Sequence, residues 1–265
     1  MLFLRQIALL VLFTAPAFAG VGAYVAATNG ALYYHCLKSD DCSFCKTCPK
    51  TQYTLGIGGI YLNQSKDFDS KDSGGYVRFA FSEFSPKQRF NFTLNILLGA
   101  AQHTSNPQAL FATQNPTASV FFELRPKVGV NILSQNLPLF LNLAYTFEGY
   151  NPNVGDSRYD LYKLLYHSVG GELEGLIFIN PKLRLTYSAG YDYIFSGGYK
   201  TSQGKAKFDN GSTIRASVGY VYALNEKLSY YMKIQGKIQN FESAPLLTQK
   251  TQEQYIAGVE LGLGF

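Results

Sequence analysis

The chain contains no tryptophan, two methionines and three histidines in 265 residues, and its four cysteines all fall between Cys36 and Cys48. So few histidines leave little for general-base or metal chemistry: nothing specifies a catalytic metal site, and no phosphate-binding loop or nucleotide fingerprint is present. No cofactor is expected. Neither charge sign dominates, and lysine and arginine are spread along a chain of net charge +5, which argues against a nucleic-acid partner. After residue 19 no run of about 18 apolar residues occurs, which excludes a transmembrane helix. What is present is 46% apolar content, enough for a core, together with 20 Tyr, 20 Phe and 25 Gly. That mixture suits many strands joined by tight turns better than it suits helices.

The N-terminus reads as an export signal. Arg5 precedes the apolar run Ile7 to Phe13, and Ala17-Phe18-Ala19 matches a small-residue cleavage pattern. Residues 1–19 are therefore expected to be a signal peptide, with no cysteine following the cleavage point to accept a lipid. Residues 20–50 form a separate Cys-rich segment. The Cys42, Cys45, Cys48 spacing has a superficial likeness to iron–sulfur ligation, but the fourth spacing is wrong, and His35 makes zinc conceivable. Export to an oxidising compartment favours two disulfides among Cys36, Cys42, Cys45 and Cys48, in any of three connectivities.

From Thr51 the apolar residues recur with a period of two, the signature of strands with one apolar face. Ten strands follow, marked by Tyr53–Tyr61, Val77–Phe81, Phe90–Leu98, Val120–Ile132, Leu139–Phe147, Val169–Ile179, Leu183–Phe195, Ile214–Tyr222, Leu228–Ile238 and Gln254–Phe265. Pro126 lies inside the fourth, where its missing donor predicts a bulge or a local break. Short turns near Pro86, Gln135, Pro181 and Glu226 alternate with long loops, read as Gln64–Gly74, His103–Pro116, Tyr150–Tyr166, Ser196–Gly211 and Asn240–Glu253. Leu161–Leu165 is expected to form a helical turn in the third loop.

An even strand count with connections sorted by length predicts an all-β fold, an antiparallel transmembrane β-barrel over residues 51–265, with short periplasmic turns and longer extracellular loops. A mean hydropathy near zero is no objection, because every barrel strand alternates. A twelve-strand variant would add a hairpin of Val21–Thr28 and Ala31–Leu37. In the last strand Tyr255, Ala257, Val259, Leu261, Leu263 and Phe265 alternate with polar or small residues, broken only by Ile256. This pattern resembles the C-terminal strand of bacterial outer-membrane β-barrel proteins, whose terminal Phe after alternating apolar residues is the assembly signal. The Tyr-rich, Trp-free composition is similar to that of epsilonproteobacterial outer-membrane protein families. The resemblance implies a location in the bacterial outer membrane, and outer-membrane lipids and the barrel assembly machinery as partners.

The apolar face carries Tyr61, Tyr145, Tyr193, Tyr222 and Tyr255 as candidate girdle residues. The opposite face carries Arg78, Arg125, Lys127, Arg184, Arg215, Lys233 and Lys237 against Glu83, Glu123, Glu148, Glu172, Glu174, Asp192 and Glu260. Balanced charges inside a barrel of this size predict an ion-pair network that fills the lumen; a strongly selective pore would show one sign in excess. Catalysis finds little support. His167 and Ser168 are adjacent and face opposite sides, whereas outer-membrane lipid deacylases need them one residue apart on one face. The His-Asp and Asp pairs of omptin-like proteases have no match, and His103 and His167 are expected at loop bases. The function expected is a non-enzymatic barrel anchoring surface loops for structural or binding roles, with a possible extracellular ligand. A narrow small-solute channel is the alternative, and an outer-membrane lipid hydrolase the second.

Overall fold

The computed structural model describes residues 51–265 apart from 66–67, 85–88, 109–116, 134–136, 153–162, 181, 202–203, 208–209, 226–227 and 243–250. The signal peptide, the Cys-rich segment with its four cysteines and the optional hairpin at Val21–Leu37 lie outside the described residues. The elements are β1 (Thr51–Gln64), β2 (Ser70–Phe84), β3 (Phe90–Ser105), β4 (Thr117–Asn131), β5 (Leu139–Asn151), β6 (Lys163–Phe178), β7 (Leu183–Thr201), β8 (Gly204–Lys207), β9 (Asn210–Ala223), β10 (Ser229–Glu242) and β11 (Thr251–Gly264).

Each strand is hydrogen-bonded to its sequence neighbour in antiparallel register, except that β7 pairs with β9 around the short β8, and β1 pairs with β11 from Thr54↔Gly264 to Gln64↔Gln254. That last ladder closes the sheet. The result is a ten-stranded antiparallel barrel, with β8 added as a hairpin partner to the far end of β7. Closure removes every edge that lipid could not satisfy.

The alternation seen in the sequence becomes two faces. Leu55, Ile57, Leu98, Leu143, Val218, Ile234, Val259, Leu261 and Leu263 are exposed on the outside, as are Tyr61, Tyr145, Tyr193 and Tyr255. Inward positions are mostly polar, charged or glycine, with apolar side chains gathered toward the loop end. In β1 two of them are Gly56 and Gly58. A Cβ on Gly58 would lie 2.4 Å from the Tyr76 ring, and one on Gly56 would lie 2.3 Å from the Tyr231 hydroxyl. The bare wall of β1 is what lets two tyrosines lean across it.

The strands run further than the alternation alone marked. β2 begins at Ser70, so the expected loop Gln64–Gly74 is a connection of residues 65–69; small Gly74 and Gly75 had hidden the strand. β3 continues to Ser105 and takes in His103. β5 reaches Asn151 and β6 starts at Lys163, so Lys163, Leu164 and Leu165 are strand where a helical turn was expected, and Leu161 and Tyr162 lie outside the described residues. The expected loop Ser196–Gly211 is largely the β7–β8 hairpin, and β10 and β11 extend to Glu242 and back to Thr251. Pro126 pairs with Leu94 in an unbroken β3–β4 ladder, whereas the β4–β5 ladder lapses between Leu124↔Phe147 and Lys127↔Ala144 without changing register. A break without a bulge is the outcome, since proline removes one donor but adds no residue.

A true bulge lies elsewhere. The β6–β7 register shifts between His167↔Ser196 and Ser168↔Ile194, leaving Phe195 as the extra residue. Ile194 and Tyr199 are both buried inside although their sequence positions differ in parity. The bulge resets the alternation so that both point into the barrel.

Candidate functional site

The lumen is organised in layers. Nearest the loop end is an apolar cluster of Leu62, Phe68, Tyr150, Leu164, Tyr166, Ile194, Tyr199 and Phe241, with Phe121 and Ile256 packed against it. Phe68, from the β1–β2 connection, has its ring 4.9 Å from that of Tyr199 on the far side of the barrel. Tyr166 and Phe241 meet edge to face at 5.5 Å. Ile256, the one exception to the alternation of β11, is inward because it belongs to this cluster.

Below it runs a belt of charge. Lys127 Nζ lies 2.6 Å from Glu174 Oε2 and 3.3 Å from Glu172 Oε1. Arg125 donates to Glu172 at 2.8 Å, to Asp192 at 2.7 Å and to Thr146 at 2.6 Å. Asp192 is shared with Arg215 at 2.8 Å, Arg215 reaches Glu123 at 3.4 Å, and Lys237 bridges Glu123 at 3.3 Å and Glu148 at 2.5 Å. Because β4 and β10 stand opposite each other in the ring of strands, the Glu123–Lys237 contact crosses the lumen. Shared partners of this kind are how buried charges offset the desolvation that a low-dielectric interior imposes.

A second network lies against β1. Glu260, fully buried, pairs with Arg78 at 3.2 Å and with Lys233 at 3.4 Å, and accepts a hydrogen bond from Tyr231 at 2.8 Å. Arg78 also donates to Gln235 at 2.8 Å, and Gln235 donates to the Tyr76 hydroxyl at 2.9 Å. Arg184 lines a cavity of about 300 Å³ that runs from Gln52, Ser229 and Gly264 at the turn end, alongside Arg125, Glu123, Lys237 and Glu260 of the two networks, up to Tyr150, Leu164 and Tyr166.

Thirteen of the fourteen charged residues picked out on the polar face occupy inward positions, and Glu83 is the exception: it stands on the outward face of β2 in line with Phe79 and Phe81, and is exposed. Its place at the turn end explains the misreading, since a charge there meets water from either face.

A polar knot that the alternation does not mark lies beside the apolar cluster. Asp72 Oδ1 lies 2.7 Å from His103 Nδ1, and Asp72 Oδ2 accepts from Ser119 Oγ at 2.8 Å and from the Tyr150 hydroxyl. His103 is wholly buried and its Nε2 has no hydrogen-bond partner among the described residues. His103 is therefore an interior residue of β3, not a loop-base residue as expected. His167 stays on the outside, where its Nδ1 is 2.6 Å from the Tyr145 hydroxyl and its ring stacks on Phe147 at 4.7 Å, while Ser168 points inward and is buried. Among the described residues no group of three or more His, Cys, Asp or Glu side chains could hold a metal ion.

No protein-family model matches the chain, and no curated protein matches it. Solved structures do. The outer membrane protease OmpT from Escherichia coli superposes with a TM-score of 0.52 at 11% identity, covering 81% of this chain and 96% of that one. An outer membrane channel from Pseudomonas putida F1 gives 0.41 at 12% identity, covering 81% and 95%. The outer membrane protein OprG from Pseudomonas aeruginosa gives 0.36 at 10% identity, covering 81% and 94%. At these identities the likeness is one of fold: this chain has the architecture of bacterial outer-membrane β-barrels.

Proposed function

We propose that the chain is an outer-membrane barrel with a plugged lumen, a non-enzymatic anchor that holds its loop-end elements at the cell surface for structural or binding work. The observation that carries this is the Glu123–Lys237 contact across the lumen, lying beneath an apolar cluster fed by strands from all round the ring. An open pore needs a continuous wet path; here buried ion pairs and packed rings occupy it. The partners in this reading are outer-membrane lipids, an extracellular ligand, and the barrel assembly machinery acting on the pattern of Tyr255, Val259, Leu261, Leu263 and Phe265. Export with cleavage after Ala19, and two disulfides among the four cysteines, complete it.

The test is single-channel recording of the refolded mature chain in a planar bilayer, with a heat-modifiability gel to verify folding. A folded, silent barrel supports the plugged lumen, and steady conductance steps overturn it. The cavity beneath the apolar cluster favours a second reading, a narrow solute channel whose plug moves. In that case conductance steps appear and replacing Arg125 or Glu172 alters their ion selectivity.

A further inference from the structure

Beyond the bulge, β6 and β7 rise past the aromatic girdle and β8 folds back against β7. The ladder there places Lys163 directly opposite Lys200, and Lys200 directly opposite Lys205. Lys207 stands opposite Gly198, two residues from Lys200, so it shares the face. All four lysines are exposed, and none has an ion pair or hydrogen bond among the described residues. Residues paired across a ladder point the same way, and like charges directly opposite one another destabilise a sheet. Two successive Lys–Lys pairs across three strands are a local cost that an anionic partner would remove.

The face in question is the outer one. On β6 the outward series from the membrane side is Val169, His167, Leu165 and Lys163, with Val169 and Leu165 exposed; on β7 it is Tyr193, Phe195, Ser196, Gly198 and Lys200. Gly198, opposite Leu165 on one side and Lys207 on the other, puts no side chain between them. An exposed apolar and aromatic track thus leads directly to a row of cations about 13 Å from His167, at roughly 3.3 Å per residue. The geometry points to a binding site for a phosphorylated membrane glycolipid on the outer face of β6–β8, with phosphates on Lys163, Lys200, Lys205 and Lys207 and acyl chains along Leu165, Val169, Tyr193 and Phe195. Juxtamembrane basic clusters attract anionic lipid in this way. The inference rests on the barrel spanning a lipid bilayer, which membrane fractionation tests separately.

The experiment is native mass spectrometry of the refolded, heat-modifiable barrel in detergent, titrated with bisphosphorylated lipid A. Replacing the four lysines together (K163Q, K200Q, K205Q and K207Q) is expected to weaken retention roughly tenfold or more. The same change at Lys71, exposed at the loop end of β2, should leave it unaltered. Equal retention by the quadruple variant overturns the site, as does equal binding of a dephosphorylated lipid A. Displacement of lipid A by inorganic phosphate at the same concentration overturns the lipid as the source of the phosphate. Because the lysines are exposed and unpartnered, the quadruple variant should fold; a barrel that folds only with the lysines present would instead make them structural.

Discussion

Asp72 and His103 face each other across the β2–β3 ladder with Oδ1 and Nδ1 2.7 Å apart, and neither side chain is exposed. The same carboxylate also receives Ser119 and Tyr150, so one side chain holds β2, β3, β4 and β5 together at the level of the apolar cluster. Removing it strands several buried polar groups at once. Asp72→Ala should lower stability by about 3–5 kcal/mol, the range for breaking a buried pair from one side. Urea unfolding followed by gel mobility checks this; a loss below about 1 kcal/mol, the ordinary value of one hydrogen bond, would mean the knot is not formed.

Arg125 is the hub of the charged belt, and its neighbours are coupled through it. Arg125→Met and Glu172→Gln should each destabilise, and the double variant should cost less than their sum, with a coupling of about 1–3 kcal/mol. Additive effects in the double-mutant cycle would show that the two side chains do not share a network.

The β7 bulge makes an unusual deletion prediction. Excising Phe195 leaves Ser196 opposite His167 and keeps Tyr199 inside, because the bulged residue is already outside the ladder count. The deletion should therefore cost less than Tyr199→Ala, which empties part of the apolar cluster at about 3–5 kcal/mol, as other large aromatic truncations do. If β7 were regular, the deletion would turn Tyr199 out to lipid and be the more damaging of the two in thermal unfolding.

Gly58 offers a prediction about space. A valine there collides with the Tyr76 ring and should displace its hydroxyl from Gln235, at about 1–3 kcal/mol for overpacking. Combining it with Tyr76→Ala should recover part of the loss, since the obstructing ring is gone; an undiminished loss would place the strain elsewhere.

The barrel was legible in the sequence because lipid on one side and water or charge on the other force a period of two, which survives any choice of loop. The lumenal charges were legible for the same reason: Arg125 and Lys127 alternate with Leu124 and Val128. What escaped were features that depend on where a strand stops or slips. Asp72 and His103 lie 31 residues apart, beyond the strand ends that Val77 and Leu98 seemed to mark, since Gly74, Gly75, Ala100 and Ala101 carry no apolar signal. Had those strands been extended, the inward parity of both would have brought them opposite one another. Phe195 escaped because a bulge changes parity without changing composition, and Tyr199 then reads as outward. Glu83 was misplaced because alternation loses its meaning at the water boundary.

Ile256 and Glu260 give β11 a part beyond its own ladder. Glu260 serves a cation on β2 and another on β10, strands that flank the β1–β11 pair on its two sides, and Ile256 completes the apolar cluster. Closing the sheet and supplying the counter-charge for Arg78 and Lys233 are consequently one step. Until β11 docks, Arg78 and Lys233 lack their shared carboxylate and the apolar cluster lacks Ile256, so a half-closed ring is an unfavourable resting state.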